Sequence, residues 1–287
     1  MTAAPAPRTL EAALEARADR PDAVPVAGGT DLMVEVNFGR SHPAALLDLT
    51  RVEELKGWRR ENGRVVVGAG MTFAAIEREL GEFGPLVEAA RTVGSPQIRN
   101  RATIGGNLAT ASPAGDSIPV LAAYAGDVLL ASRRGERRLP WDEFFLGPKR
   151  TALAPDELVV GVEWETVRGP GSFAKIGTRN AMVIAIAGVC LQLDPAARTL
   201  RVALGSVAPT VVRAPAAEAF AAEFVPWDDP ERPLPAGALS EFGQVAASAA
   251  RPIDDVRGSA AYRRHAVEVL ARRLLARALD GWREAAC

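Results

Sequence analysis

Hydrophobic and polar positions follow two different periods along the chain, and the two periods alternate from the first residues onward. Apolar residues recur at helical spacing from Leu10 to Ala18, and Val24 to Val26 form a short apolar run. A helical segment from Asp31 to Phe38 and a second apolar run from Leu46 to Leu49 come next. The order of these segments predicts a small βαβ-like unit.

The same alternation continues through the remaining chain. Strands are predicted at Val65–Val67, Asp127–Ala131, Arg137–Leu139, Leu158–Trp164, Phe173–Ile176, Ala185–Leu193 and Leu200–Ser206. Helices are predicted at Thr72–Leu80 with Thr72 as the cap, at Pro85–Ala90 and Ile118–Ala125, and from Ser259 to about Leu279. The chain therefore contains both helices and strands throughout its length. The predicted fold is a mixed one, of the α+β class.

Length and turn chemistry indicate how the chain divides into domains. A chain of 287 residues is long enough for about two domains. The segment Arg168-Gly169-Pro170-Gly171 is the best candidate for a boundary, because Gly and Pro interrupt regular structure. We expect an N-terminal domain over residues 1–170, with subdomains of about 1–52 and 53–170, and a C-terminal domain over residues 171–287.

Two glycine-rich turns about 75 positions apart carry the strongest chemical signal. The first reads Ala27-Gly28-Gly29-Thr30-Asp31-Leu32, and the second reads Thr103-Ile104-Gly105-Gly106-Asn107. Tandem glycines permit positive φ and close approach of a ligand to the backbone, and successive N–H groups can form a concavity for an anion. One such turn can be explained as a tight turn in which only glycine fits sterically. Two such turns in one segment favour a diphosphate site.

The type of phosphate site is narrowed by the motifs that the sequence lacks. No Gly-x-Gly-x-x-Gly begins a strand-to-helix turn, which disfavours a Rossmann site, and no Gly-Lys-Ser/Thr is present for a P-loop. Two turns that converge on one diphosphate suit a long dinucleotide.

Charge and rare residues exclude several other functions. A net charge of −1 argues against a nucleic-acid or membrane partner that is held by bulk electrostatics. Cys190 and Cys287 have no metal or disulfide spacing, and two histidines do not form a recognisable catalytic arrangement, so we assign no catalytic or metal residue. The first residues resemble no secretory signal, and we expect a cytoplasmic protein.

Three segments of the sequence resemble one known family. They are AGGTDL at residues 27–32, GSPQIRNRATIGGNLATASPAGD at residues 94–116 and RGSAAYRRH at residues 257–265. Together they are similar to the FAD-binding medium subunit of the molybdenum hydroxylases, which include the xanthine and carbon monoxide dehydrogenases. The resemblance implies a two-subdomain FAD-binding domain of the p-cresol methylhydroxylase type, followed by a smaller α/β C-terminal domain. The first turn has no histidine, so we expect non-covalent FAD.

The resemblance also implies a set of FAD-binding residues. The two turns would surround the pyrophosphate with backbone amides, and Asp116 would accept hydrogen bonds from the adenosine side. Leu158 resembles the apolar residue that packs on the isoalloxazine, and Lys175 resembles the lysine near the flavin ring. A cation there would stabilise an anionic reduced flavin. The alternatives are a core strand residue for Leu158 and a solvated side chain for Lys175.

The function implied is electron transfer between subunits. Electrons from a molybdenum site on a large subunit would pass through 2Fe–2S clusters on a small subunit to FAD here, and then to NAD or another acceptor. Two cysteines cannot supply the four ligands of such a cluster. The sequence resembles the medium subunits of bacterial xanthine dehydrogenases most, so we expect the complex to oxidise a purine with NAD as the acceptor. Carbon monoxide, aldehydes and N-heterocycles are the alternative substrates. The alternative is a stand-alone, non-covalent FAD oxidoreductase acting on a small organic substrate.

Overall fold

The computed structural model describes residues 5–286, which form two compact units. Unit 1 consists of the described residues of Met1–Ile76, Ser95–Ala111 and Ala125–Thr166. Unit 2 consists of those of Glu77–Gly94, Ser112–Tyr124 and Val167–Cys287. Cys287, to which the sequence analysis assigns no role, lies outside the described residues. Each unit is therefore assembled from three separate stretches of chain.

Unit 1 begins with the predicted βαβ-like arrangement. Strand β1 (Val24–Val26) pairs in parallel with β2 (Leu46–Asp48), and α2 (Leu32–Asn37) connects them. Helix α1 (Leu10–Asp19) precedes them, and the hydroxyl of Thr9 caps it by accepting from the amide of Ala12. A single 3₁₀ turn follows at Glu53–Leu55. This part of unit 1 confirms the elements that the hydrophobic pattern predicts.

The larger part of unit 1 is a five-stranded antiparallel sheet with the strand order β3-β4-β9-β5-β6. Its strands are β3 (Trp58–Glu61), β4 (Arg64–Gly68), β9 (Leu158–Glu165), β5 (Asp127–Ser132) and β6 (Gly135–Pro140). The central strands carry consecutive buried apolar residues, whereas β6 is almost entirely exposed. A buried central strand and a polar edge strand are the usual distribution in such a sheet.

Short elements complete unit 1. They are α5 (Pro96–Arg99), α6 (Ile104–Thr110), α8 (Trp141–Phe144) and the hairpin strands β7 (Phe145–Gly147) and β8 (Arg150–Thr151). Helix α3 (Phe73–Glu79) runs from unit 1 into unit 2 along the chain, and the hydroxyl of Thr72 accepts from the amide of Ala75 at its start. The predicted cap at Thr72 is confirmed.

Unit 2 contains a four-stranded antiparallel sheet and the longest helix. The sheet has the order β10 (Gly171–Ile176), β11 (Ala187–Asp194), β12 (Thr199–Gly205) and β13 (Val212–Arg213). Its helices are α4 (Gly84–Thr92), α7 (Ser117–Ala123), α9 (Pro215–Phe224), α10 (Ala238–Ser248) and α11 (Ala260–Ala286). One apolar core lies between the inner face of this sheet and α9, α10 and α11.

The described helices and strands are of the mixed type that the sequence predicts, and the α+β class is confirmed. The continuous C-terminal part of unit 2 begins at Val167, close to the predicted boundary at residue 170. Unit 2 also includes α4 and α7, which come from within the predicted N-terminal domain. The division of the chain into an N-terminal and a C-terminal domain at residue 170 stays a proposal.

Candidate functional site

The first glycine-rich turn connects β1 to α2 and packs directly on the segment that precedes the second turn. A β-carbon on Gly28 would lie 2.1 Å from the carbonyl oxygen of Arg101 and 2.9 Å from the Cα of Ala102. Only glycine fits there, because the obstruction is backbone rather than a flexible side chain. The two predicted turns are therefore neighbours within unit 1.

The backbone of the first turn leaves a row of hydrogen-bond donors without protein acceptors. Within residues 5–286, no group accepts from the amides of the five consecutive residues Gly28 to Leu32. Gly29 has φ +70°, a left-handed conformation in which other residues are strained. Gly28, Gly29 and Thr30 are half-buried, and Asp31 is exposed. Unpaired amides around a positive-φ glycine can bind an anion.

The second glycine pair lies in a helix rather than in an open turn. Thr103 is the N-cap of α6, and its hydroxyl accepts from the amide of Gly106 at 3.1 Å. The amides of Ile104 and Gly105 donate to the carbonyl oxygens of Met71 and Ala69, at 3.0 and 2.9 Å. The amide of Asn107 donates to the carbonyl oxygen of Thr103 at 3.0 Å. All four backbone amides from Ile104 to Asn107 are therefore used inside the protein.

The two glycines of α6 differ in what surrounds them. A β-carbon on Gly105 would meet the β-carbon of Ala69 at 2.5 Å and its carbonyl oxygen at 2.8 Å, so Gly105 allows α6 to pack closely. Gly106 is exposed, and its nearest neighbour would be the hydroxyl of Thr103 at 3.1 Å. Gly105 thus allows α6 to pack on Ala69, and Gly106 is the exposed glycine of the pair.

A diphosphate fits this arrangement, but the donors are distributed differently from the expectation. The expectation assigns backbone amides of both turns to the ligand, but among the described residues only the first turn has amides without a protein acceptor. The sequence shows the glycines but not the helix cap, because Thr103 begins a helix of only seven residues. Arg101, Ala69 and Met71 support the site through backbone atoms, which side-chain chemistry in the sequence does not reveal.

Leu158 occupies the first position of β9 and is 1% exposed. It belongs to a small apolar core of unit 1 that also contains Leu47, Val52 and Leu55. This environment agrees with the alternative given for Leu158, namely that it is a core residue of a strand. Its contact with a flavin ring stays a prediction.

Asp116 and Lys175 form a buried ion pair in unit 2. The ammonium nitrogen of Lys175 lies 2.5 Å from a carboxylate oxygen of Asp116, and each side chain is 7% exposed. The same ammonium also donates to the carbonyl oxygens of Thr92 and Val183, at 2.9 and 3.1 Å. Burial raises the pKa of Asp116, and the ammonium of Lys175 partly opposes that effect.

This pair changes what can be expected of the two residues. Lys175 is not a solvated side chain, and its three N–H groups all have acceptors within unit 2. The resemblance places Asp116 at the adenosine and Lys175 at the flavin ring, which are opposite ends of FAD. Two side chains in direct contact do not reach opposite ends of one extended ligand, so the two assignments exclude each other and each stays a prediction. The sequence could not reveal this pairing, because 59 positions separate the two residues.

The described residues do not form a site for metal binding or for nucleophilic catalysis. No group of three His, Cys, Asp or Glu side chains among residues 5–286 is arranged to hold a metal ion. Cys190 is fully buried in β11, and burial raises the pKa of its thiol well above the ordinary value. A buried thiol that stays protonated does not act as a nucleophile. No helix in the described part of the chain is long and apolar enough to span a membrane.

Comparison with protein families gives two matches that together cover most of the chain. Residues 3–164 match the FAD binding domain in molybdopterin dehydrogenase. Residues 172–278 match the CO dehydrogenase flavoprotein C-terminal domain. The residues of the first glycine-rich turn, α6 and Leu158 all fall in the first match, and Lys175 falls in the second.

Similar proteins have related descriptions. The nicotinate dehydrogenase FAD-subunit of Eubacterium barkeri is 36% identical, over 67% of this chain and 69% of its own length. The nicotine 6-hydroxylase medium subunit of Paenarthrobacter nicotinovorans is 33% identical, over 95% of both chains. In a solved structure of carbon monoxide dehydrogenase from Hydrogenophaga pseudoflava, one chain superimposes with a TM-score of 0.84. That match covers 97% of each chain at 29% identity.

Proposed function

Because this chain belongs to the family of FAD-binding medium subunits of the molybdenum hydroxylases, we propose that it is the electron-transfer flavoprotein of such a complex. It receives electrons from 2Fe–2S clusters on a small subunit, which obtain them from a molybdenum site on a large subunit. It then delivers them to NAD or another external acceptor. Substrate oxidation takes place on the partner, so this chain has no catalytic residue for that step.

One observation carries the proposal for the FAD site. The five backbone amides from Gly28 to Leu32 have no acceptor within the described residues, and Gly28 packs against the backbone of Arg101. We place the pyrophosphate of FAD on these amides. A diphosphate carries enough negative charge to use several N–H donors at once, and successive N–H groups around a positive-φ residue such as Gly29 can form a concavity that binds an anion.

The remaining predicted residues have supporting positions in this proposal. Ala27 leads from β1 into the turn, and Thr103, Ile104 and Gly105 fix the start of α6 through the Thr103 cap and the contacts with Met71 and Ala69. Gly106 and Asn107 form the part of α6 that can approach the ligand. The turn contains no histidine, which supports non-covalent binding.

FAD supplies the redox chemistry, because it can accept electrons singly from iron–sulfur clusters and donate a pair to an acceptor such as NAD. The chain itself binds and orients the cofactor and excludes water from part of it. Its two cysteines cannot ligate a 2Fe–2S cluster, which requires four, so the clusters belong to a partner. The same scarcity of cysteines supports a reducing, cytoplasmic environment.

Substrate choice belongs to the molybdenum subunit, and we retain xanthine as the first candidate for the complex. A xanthine dehydrogenase FAD-binding subunit is among the similar proteins. Relatives named for nicotinate, nicotine and carbon monoxide are similar too, and the first two of these substrates are aromatic N-heterocycles like xanthine. An aromatic N-heterocycle is therefore the substrate class that agrees with most of these names.

Co-expression with the cognate molybdenum and iron–sulfur subunits tests the proposal. The isolated chain should retain one FAD per chain and oxidise no substrate. The assembled complex should oxidise xanthine or another N-heterocycle with NAD or a dye as acceptor. A chain that retains no flavin, or that oxidises the substrate alone at the rate of the complex, would contradict the proposal.

A further inference from the structure

Helix α2, which follows the first glycine-rich turn, has little packing to hold it in place. None of its six residues from Leu32 to Asn37 is buried, although four of them are apolar. No other described helix or strand makes an extensive contact with it. Packing of an apolar face supplies most of the stability of helices in proteins. The position of α2 therefore depends on other interactions.

Glycines in the left-handed conformation precede and follow this helix. Gly29 has φ +70° and Gly39 has φ +66°, and a β-carbon on Gly39 would meet no atom within 4 Å. Among the described residues, the backbone hydrogen bonds of residues 29–41 join only members of that segment. A short helix between two such glycines can change its orientation as a unit unless a side chain holds it.

An ion pair joins α2 to a distant part of unit 1. The ammonium nitrogen of Lys149 lies 2.7 Å from a carboxylate oxygen of Glu35, which is on α2. Within residues 5–286, no other side-chain hydrogen bond or ion pair connects α2 to the rest of the chain. The hydrogen bond from Lys149 is the main cause that lowers the pKa of Glu35, so the carboxylate is ionised at neutral pH.

Lys149 is itself attached to the end of α6. It lies between β7 and β8 with φ +56°, a left-handed conformation that is uncommon for lysine. Its amide donates to the carbonyl oxygen of Ala111, the C-cap of α6, at 2.9 Å. Lys149 therefore connects the end of α6 to α2. The contact of Gly28 with the backbone of Arg101 connects the turn before α2 to the chain before α6.

We propose that Lys149 is a positioning residue of the FAD site, which acts through Glu35 to hold α2 next to the end of α6. The amides of the turn are thereby held where they bind the pyrophosphate. This inference rests on the proposed function, because it concerns the turn on which we place the pyrophosphate. A site that is ordered before the ligand arrives loses less conformational entropy on binding.

Removal of the Glu35 carboxylate separates this role from direct electrostatics. Glu35 is negatively charged and lies three residues after Leu32, the last of the five residues with unpaired amides. By charge alone, its loss would favour the binding of a diphosphate. If Lys149 instead bound the diphosphate directly, loss of Glu35 would also release the ammonium for that purpose. The positioning role predicts the opposite result, namely weaker binding of FAD.

Fluorescence titration of the full-length apoprotein with FAD measures the effect. Glu35→Gln and Lys149→Met should each raise the dissociation constant of FAD about threefold, as expected for loss of one partly exposed ion pair. The double variant should bind FAD as the single variants do, because both changes remove the same interaction. Lys149→Arg should retain wild-type affinity. Thermal unfolding should be unchanged, since the Lys149 side chain is 60% exposed.

Lys56→Met is the matched control. The ammonium of Lys56 lies 2.7 Å from a carboxylate oxygen of Glu53, so this variant removes an equally short ion pair of unit 1 that does not involve α2. FAD affinity should stay at the wild-type value. Binding of FAD by Glu35→Gln that equals or exceeds that of wild type would overturn the inference, and so would an equal loss in Lys56→Met. A wild-type chain that binds no FAD would contradict the proposed function itself.

Discussion

The Cα of Gly28 lies directly against the carbonyl oxygen of Arg101, where a β-carbon on residue 28 would be 2.1 Å from that oxygen. This contact joins the turn with the unpaired amides to the chain that leads into α6. Neither partner can yield easily, since both are backbone. This contact explains why position 28 needs a glycine: a β-carbon would overlap the backbone of Arg101, whatever the φ angle of residue 28.

We therefore predict that Gly28→Ala separates the two segments. The overlap should cost about 1–3 kcal/mol of stability, the usual range for overpacking, and should displace the amides from the ligand. FAD content after purification should fall markedly, as measured by the flavin absorbance per chain. Gly147→Ala is the control in unit 1, because the nearest atom to its β-carbon would be 4.0 Å away. Full FAD content in Gly28→Ala would contradict the site.

Gly29 tests the conformation of the turn rather than its packing. Gly29→Val should be strained by about 1–2 kcal/mol, because φ is +70° and the side chain is β-branched. Relief of that strain would rotate the neighbouring amides and lower FAD affinity. Gly63→Val imposes similar strain at φ +75° in the β3–β4 hairpin, with open space around it. Titration of each apoprotein with FAD should show weaker binding only for Gly29→Val. Equal FAD affinities of Gly29→Val and Gly63→Val would show that the amides of the turn do not bind FAD.

The buried pair in unit 2 should behave as a coupled unit. Asp116→Asn or Lys175→Met alone leaves one buried charge without its partner and should cost about 3–5 kcal/mol of unfolding free energy. The double variant should be more stable than the sum of the two losses predicts, by about 1–3 kcal/mol. Urea unfolding of all four proteins measures the coupling. Additive losses would show that the ion pair does not determine the stability of this region.

Glu157 should make unit 1 sensitive to acid. Its carboxylate accepts from Arg137 at 2.6 and 2.8 Å and from the amide of Ala154 at 2.7 Å. These bonds, chiefly those from Arg137, lower the pKa of Glu157. A lowered folded-state pKa stabilises the protein above the unfolded-state pKa of about 4.5, and this contribution is lost as the pH falls through the folded-state value.

Glu157→Gln should therefore cost about 1–2 kcal/mol at pH 7, and the difference from wild type should shrink as the pH falls below about 4.5. Thermal unfolding at a series of pH values measures the difference. Glu136→Gln is the control, because Glu136 is exposed on the edge strand β6. A difference from wild type that is constant down to pH 3 would contradict the assignment of this pair.

The sequence predicts most regular elements because their hydrophobic periods are local. The parallel pair β1 and β2, the buried strand β4 and the start of α11 are all found within a few residues of their predicted positions. Strand β3 was not predicted, since Trp-Arg-Arg-Glu has no apolar alternation and is held by pairing with β4. The sequence indicates only a turn at α6, because two glycines disfavour a helix. The cap at Thr103 compensates for them.

Long-range relationships could not be predicted from the sequence. Nothing local shows that α4 and α7 join the C-terminal part of the chain in unit 2. The contact between Asp116 and Lys175 depends on that assembly, and so does the burial that raises the pKa of Asp116. The candidate diphosphate site was identified because glycine pairs are visible in the sequence, whereas the assignment of donors to one turn needed the hydrogen bonds.

Stopped-flow absorbance of the flavin tests the central claim most directly. The assembled complex and the isolated chain, each loaded with FAD, are mixed with xanthine or another N-heterocycle without an electron acceptor. In the complex, bleaching of the 2Fe–2S absorbance should precede or accompany flavin reduction, and the isolated chain should keep its flavin oxidised. Direct reduction of the flavin in the isolated chain, at a rate comparable to that in the complex, would contradict the account and favour a stand-alone oxidoreductase.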